Sequence, residues 1–130
     1  MTTPLWCLVI VALLPYTLAF AGAYFRQRQF GAIDNNDPRL QYMRLSGAGA
    51  RAWAAQLNAW EALALFTAAV VVATLAHADP AQAAAASVVF LVARLLHPLF
   101  YIANLAPLRS LAAVIGMACC VYLFVLAVRA

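Results

Sequence analysis

Residues 54–103 read AAQLNAWEALALFTAAVVVATLAHADPAQAAAASVVFLVARLLHPLFYIA and decide the fold. Two apolar stretches, 54–76 and 81–103, are separated only by a short turn that ends in Asp79-Pro80. Each stretch has about 23 residues, and at 1.5 Å per residue such a helix crosses the ~30 Å hydrocarbon core of a bilayer. The pattern therefore predicts an antiparallel pair of membrane-spanning helices.

Two further apolar stretches, 5–25 and 108–128, have nearly the same length. Hydrophobic residues make up 68% of the chain and charged residues 9%, whereas soluble domains carry about 25% charged residues. We predict an all-α, integral membrane four-helix bundle that forms one domain, residues 1–130. A cleaved signal peptide is the alternative for 5–25, but its flank has no basic residue, so we expect a retained helix.

The arginines predict the orientation in the membrane. Five of them lie in or beside the first loop, about 26–50: Arg26, Arg28, Arg39, Arg44 and Arg51. Arg109 lies in the third connection, and the second connection has none. The positive-inside rule then places the first loop in the cytoplasm and both termini outside. The Lys-free, Ala- and Arg-rich composition suggests a bacterium with a GC-rich genome, and hence its inner membrane.

Several kinds of site are not expected. Cys7, Cys119 and Cys120 lie inside apolar stretches without metal-ligand spacing, so we predict neither a disulfide framework nor a metal site. The basic loop is short and poor in aromatic residues, so we predict no nucleic-acid partner. Anionic headgroups or an anionic ligand are the simpler partners.

Two ionisable side chains, Glu61 and Arg94, lie inside the predicted spans. Such a group costs roughly 2.5–3.5 kcal/mol at the centre of a membrane helix and suggests a functional site. Counted from the cytoplasmic ends of their helices, both lie about 15 Å deep. We therefore predict a Glu61–Arg94 ion pair, within one chain or between two.

Other polar residues share helical faces with this pair. They are Arg51 and Asn58 on the second stretch, and His97, Tyr101 and Asn104 on the third. Gln56 lies on a different side of its helix. The second and third helices are therefore expected at the core and the fourth toward lipid. Two interpretations stay open: a structural polar clamp between helices, or a cytosol-facing pocket for a polar anionic molecule.

Residues 51–66, RAWAAQLNAWEALALF, resemble the second-helix motif of the MAPEG family, membrane-associated proteins in eicosanoid and glutathione metabolism. Residues 93–101, ARLLHPLFY, followed by Pro107-Leu108-Arg109, resemble its third-helix motif, which reads R-x-x-H-x-x-x-Y in the microsomal glutathione transferases. The resemblance extends over the whole chain. It implies a homotrimer of four-helix bundles that binds glutathione, as co-substrate, between subunits near the cytosolic face.

The resemblance also implies roles for individual residues. The glutathione-binding positions are Arg51, Gln56, Asn58, Glu61, Arg94, His97 and Tyr101. Tyr101 and Arg109 are the implied catalytic residues, and Arg109 resembles the arginine that stabilises the glutathione thiolate, the nucleophilic form. One position departs from the pattern: glutathione-active members usually have Arg four residues before the Asn, where this chain has Ala54.

Three functions follow as hypotheses. The first is a glutathione-dependent transferase or peroxidase that acts on lipophilic electrophiles or lipid hydroperoxides taken from the bilayer. The second is a non-catalytic member of the family that binds a lipid or an anionic small molecule. The third is a small multidrug-type transporter, which would require a carboxylate in the first helix, and residues 5–25 have none.

Overall fold

A computed structural model describes all residues 1–130, and it contains five α-helices and no strand. The helices are α1 Thr3–Phe30, α2 Pro38–Met43, α3 Gly47–Leu75, α4 Pro80–Ile102 and α5 Ala106–Arg129. By length and composition, α1, α3, α4 and α5 are able to cross a membrane. The predicted all-α chain with four spanning helices is confirmed.

The long helices extend beyond the apolar stretches, mainly at one end of the bundle. α1 continues to Phe30 and α3 begins at Gly47. We call this end, which carries residues 31–46, the loop end, and the opposite end, with the α3–α4 connection, the turn end. The turns added to α1, residues 26–30, are mostly polar, and those added to α3 contain Arg51, so both lie outside the apolar stretches. The six-residue α2 lies within the segment expected to be a loop, because so short a helix shows no periodicity.

Short reversals set the antiparallel order of α3, α4 and α5. Asp79 caps α4 by accepting a hydrogen bond from the backbone N–H of Gln82 at 2.8 Å. α3 and α4 are each followed by a residue with positive φ, His77 at 58° and Asn104 at 62°. A left-handed residue just past a helix end stops the helix and turns the chain. α4 is thereby fixed between its two neighbours along the chain.

α3 and α4 form the centre of the bundle. Each packs against the other and against both α1 and α5, whereas α1 and α5 lie on opposite sides of the pair. In the turn half, the buried rings of Phe66 and Phe90 stack with their centroids 3.9 Å apart. The buried residues around them are apolar or small, among them Val11 of α1 and Leu123 of α5. The main apolar core therefore lies in the turn half, and the buried charges lie elsewhere.

The fourth spanning helix was expected toward lipid, and more than half of the residues of α5 are exposed, but its other face packs against the bundle. α5 packs extensively against α4 and also against α3. Its buried face carries Ala112, Gly116, Cys120 and Leu123, at intervals of four, four and three residues. Small residues at such intervals let membrane helices approach closely without any polar group. The absence of ionisable residues from α5 is therefore no sign that it is peripheral.

The segment between α1 and α3 is folded against the helix ends. The buried Arg26 of α1 donates a hydrogen bond from Nη1 to Gln41 Oε1 at 3.2 Å, and its Cζ lies 4.3 Å from the centre of the Tyr42 ring. Tyr42 in turn stacks on Trp53 of α3, with 5.8 Å between ring centroids. Two inward-facing residues of α2, Gln41 and Tyr42, thus dock it onto both spanning helices.

Gly22 provides the space for this docking, because a Cβ at that position would lie 2.6 Å from the Tyr42 ring. We predict that Gly22→Ala displaces the ring and undocks α2. Limited trypsin digestion in detergent should then cleave at Arg39 and Arg44 several times faster than in the unmodified chain. In a Tyr42→Ala background the same substitution should add nothing. Unchanged cleavage in the single variant would contradict the docking.

Candidate functional site

Arg94 is the most deeply buried charge in the bundle, with 3% of its surface exposed. Its Nη2 donates to the side-chain Oδ1 of Asn58 at 2.7 Å and lies 3.5 Å from the Asn58 carbonyl oxygen. Asn58 Nδ2 donates in turn to Glu61 Oε2 at 3.2 Å. These three residues form a continuous chain of hydrogen bonds, which we call the polar network, from α4 across to the exposed side of α3.

The structure corrects the predicted ion pair within one chain. Glu61 and Arg94 are joined through Asn58 and do not contact each other directly. The reason is geometric: Asn58 lies one turn before Glu61 on α3 and faces α4, whereas the Glu61 side chain is exposed. A match in depth along two helices fixes the level only to within about one turn, or 5.4 Å. The amide therefore takes the place expected for the carboxylate.

A cavity of about 160 Å³ lies beside the polar network, between α3, α4 and α5. Its polar and sulfur-bearing lining residues are Asn58, Glu61, Arg94, Met117 and Cys120. Arg94 Nε is buried and has no hydrogen-bond partner in the protein. A buried donor left unsatisfied costs about 1–3 kcal/mol, so this atom is suited to bind an oxygen of a ligand or of water.

A second group of polar residues lies closer to the loop end. The buried His97 ring meets the Tyr101 ring edge-on, with 5.5 Å between centroids. The guanidinium carbon of Arg109 lies 4.6 Å from the centre of the same Tyr101 ring. Because a cation above an aromatic face is held by the ring quadrupole, Tyr101 fixes the position of Arg109. We call these three residues the aromatic stack.

The residues predicted for the site thus fall into two sets, with two residues outside them. Asn58, Glu61 and Arg94 meet at the cavity, and His97, Tyr101 and Arg109 form the aromatic stack. Arg51 belongs to neither, because its Nε donates to the carbonyl of Ile102 at 3.1 Å and ties α3 to the last turn of α4. Gln56 is half-buried, and its side chain makes no hydrogen bond.

The contribution of α5 to the cavity lining was not anticipated; it consists of Ala113, Gly116, Met117 and Cys120. A Cβ at Gly116 would lie 3.4 Å from Cδ of Arg94 and 3.6 Å from the Phe90 ring. α5 therefore lies directly against the buried arginine at this position, where an added Cβ would make ordinary van der Waals contacts. The small residues Ala112, Gly116 and Cys120, four apart, were the available signal for this contact.

The largest cavity in the bundle, about 490 Å³, lies at the turn end, far from these groups along the helices. Its polar lining consists of threonines and the exposed His77, without a buried charge. None of the residues predicted for the site lines it. The smaller cavity has the buried cation and the carboxylate, so we centre the candidate site there.

Comparison with known protein families gives a match over nearly the whole chain. The model of the MAPEG family matches residues 3–129. No curated protein sequence matches the chain.

The polar network leads to a stability prediction with a matched control. Asn58→Leu should lower the free energy of unfolding by about 1.5–3 kcal/mol, because it removes a hydrogen bond to a charged group. Gln56→Leu changes the same chemical group two residues away and should have little effect, because that amide makes no hydrogen bond. Denaturation in mixed micelles measures both. Equal losses in the two variants would argue against the network.

Proposed function

The chain belongs to the MAPEG family, and on that premise we propose that it is a membrane-bound, glutathione-dependent transferase or peroxidase. Its second substrates are lipophilic electrophiles or lipid hydroperoxides that enter from the bilayer. The observation that carries the proposal is the buried Arg94 guanidinium, which is hydrogen-bonded to Asn58, has an unpaired Nε, and lines a cavity together with Glu61.

The chemistry of the lining suits glutathione, a tripeptide with two carboxylates and an ammonium group. Arg94 offers a cation for a carboxylate, and Glu61 offers an anion for the ammonium. Hydrogen bonds between charged groups are about twice as strong as neutral ones. The cavity measures about 160 Å³, below the roughly 300–1,000 Å³ of typical small-molecule pockets. One chain therefore supplies only part of a site for a tripeptide.

We propose that the rest of the site comes from a second subunit in a homotrimer. Glu61 is exposed on a membrane-spanning helix, where contact with hydrocarbon would cost several kcal/mol, roughly 2.5–3.5 on the insertion scale. Ala64 and Ala68 follow on the same exposed face of α3 and would let another helix approach closely. A subunit contact along this face would shield the carboxylate and enclose glutathione.

Arg109 and Tyr101 are the proposed catalytic residues. A guanidinium near the glutathione sulfur favours the thiolate, and the Tyr101 hydroxyl is able to donate a hydrogen bond to it. In the transferase reaction the thiolate attacks the electrophilic carbon and forms a thioether, while the bond from that carbon to its leaving group breaks and the leaving group departs with the electron pair. In the peroxidase reaction it attacks the hydroperoxide O–O bond, releases the alcohol, and the resulting sulfenic acid reacts with a second glutathione to give the disulfide and water.

The proposed orientation places this chemistry at the cytosolic side of a bacterial inner membrane. Six of the eight arginines lie at or near the loop end, and Arg129 is the only one at the turn end. By the positive-inside rule the loop end is cytoplasmic. Cytosolic glutathione would then reach the aromatic stack before it reaches Arg94.

A second candidate is a non-catalytic member of the family that binds a lipid or an anionic small molecule. Ala54 favours this reading, because the family arginine at that position is missing. Arg51, the nearest alternative cation on α3, is bound to the Ile102 carbonyl. On this reading the polar network binds its ligand without activating a thiol.

Stopped-flow ultraviolet absorbance separates the two functions. Mixed with millimolar glutathione, the protein should develop a thiolate signal and unfold at a higher temperature. Arg94→Ala should remove both effects, and Arg109→Ala should remove only the thiolate signal. Arg129→Ala, at the turn end, is the charge control and should change neither. A thermal shift without a thiolate signal would favour the non-catalytic binding protein. The absence of both effects would rule out glutathione as the ligand.

The oligomeric state is tested by native mass spectrometry. A mass of three times the 14.0 kDa chain is expected. Ala68→Phe should destabilise the assembly because it adds a ring to the proposed contact face of α3. Val121→Phe, at a position of α5 that is 52% exposed, should leave it intact. A monomeric wild-type chain, or equal effects of the two substitutions, would contradict the proposed trimer contact.

A further inference from the structure

The short helix α2 has an inverted polarity. Its amide residue Gln41 faces the protein and makes three hydrogen bonds there, at 2.8–3.2 Å, and Tyr42 packs inward as well. Its apolar residues face outward: Leu40 is 48% exposed and Met43 67%. A helix on the surface of a water-soluble domain shows the opposite arrangement. The outer side of α2 is therefore suited to an environment less polar than bulk water.

Residues 31–46, which contain α2, lie where the surroundings are less polar than bulk water. This segment connects the ends of two spanning helices. Both the oxygen and the nitrogen of the Gln29 side-chain amide, at the end of α1, form hydrogen bonds to the segment. Gln29 Oε1 accepts from the backbone N–H of Ser46 at 3.1 Å, and Gln29 Nε2 donates to the Arg44 carbonyl at 3.2 Å. The segment is therefore held against the helix ends. Leu40 and Met43 then lie near the level of the bilayer surface.

Two cations lie beside these apolar residues. Arg39 and Arg44 are exposed, and their guanidinium groups form no hydrogen bond or ion pair. Between positions 26 and 51 the chain has five arginines against two aspartates. One of the aspartates, Asp34, already accepts hydrogen bonds from two backbone N–H groups of its own turn. The outer side of the segment thus combines net positive charge with exposed apolar side chains.

We propose that Arg39, Leu40, Met43 and Arg44 form a binding surface for the headgroups of anionic phospholipids. The two guanidinium groups bind lipid phosphates, while Leu40 and Met43 enter the boundary between headgroups and acyl chains. Charge complementarity selects the anionic lipids. The apolar pair selects a membrane over a dissolved anion, because only a membrane offers both kinds of contact. This inference does not depend on whether the protein acts on glutathione.

The test uses the full chain in detergent and native mass spectrometry, with phosphatidylglycerol or phosphatidylcholine added. The wild-type chain should bind phosphatidylglycerol more tightly, and higher ammonium acetate concentrations should weaken that preference. The Arg39→Gln/Arg44→Gln variant should lose about 30-fold in affinity for phosphatidylglycerol, since an arginine near the surface contributes about fivefold. Its affinity for phosphatidylcholine should not change. Arg129→Gln, which removes one arginine at the opposite end of the bundle, is the control and should leave the preference for phosphatidylglycerol unchanged.

Four results would overturn the proposal. Equal binding of the two lipids by the wild-type chain, or an undiminished affinity in the double variant, would remove the lipid site. Loss of oligomer mass in the double variant would assign the surface to a second copy of the chain. Competition by inorganic phosphate as strong as that by phosphatidylglycerol would assign it to a dissolved anion. The salt dependence is measured on the wild-type chain, so it tests the proposal even if the variant unfolds.

Discussion

A single requirement organises the bundle: the guanidinium of Arg94, buried inside a membrane-spanning helix, must have hydrogen-bond partners within the protein. Asn58 supplies them at 2.7 Å and thereby sets the level of α3 against α4. Gly116 of α5 lies against the same side chain. Removal of the Asn58 side chain would leave the cation without its partner, which is costly in a medium that has no water to compensate.

On either side of Arg94 along the helices, the two halves of the bundle differ in composition. The turn half is apolar and is held by the stacked rings of Phe66 and Phe90. The loop half contains the polar network, the aromatic stack and the folded segment 31–46 that connects α1 to α3. The apolar half supports the polar half, where the residues of the polar network lie on helices. Residues on helices are held in position by packing, as a site that orients a ligand requires.

Much of the fold follows from the sequence, because spanning helices are set by length and apolar content. The polar residues that meet at the cavity were also predictable. Asn58 and Glu61 are three residues apart on α3, and Arg94 of α4 lies at a matching depth in the bundle. The direct ion pair within one chain was not correctly predicted, because helical rise alone does not decide between residues one turn apart. The role of α5 was missed, since Gly116 and Cys120 carry no charge. α2 was missed because six residues show no period. Whether Gln56 and Arg51 touch a ligand stays a prediction.

The central claim is that Asn58, and not Glu61, is the direct partner of Arg94. Double-mutant cycles on the free energy of unfolding measure both couplings, with Asn58→Leu, Glu61→Gln and Arg94→Leu combined in pairs. The structure predicts a coupling of about 1.5–3 kcal/mol between Asn58 and Arg94, as for a hydrogen bond to a charged group, and a clearly smaller one between Glu61 and Arg94. A larger coupling for the Glu61–Arg94 pair would contradict this account.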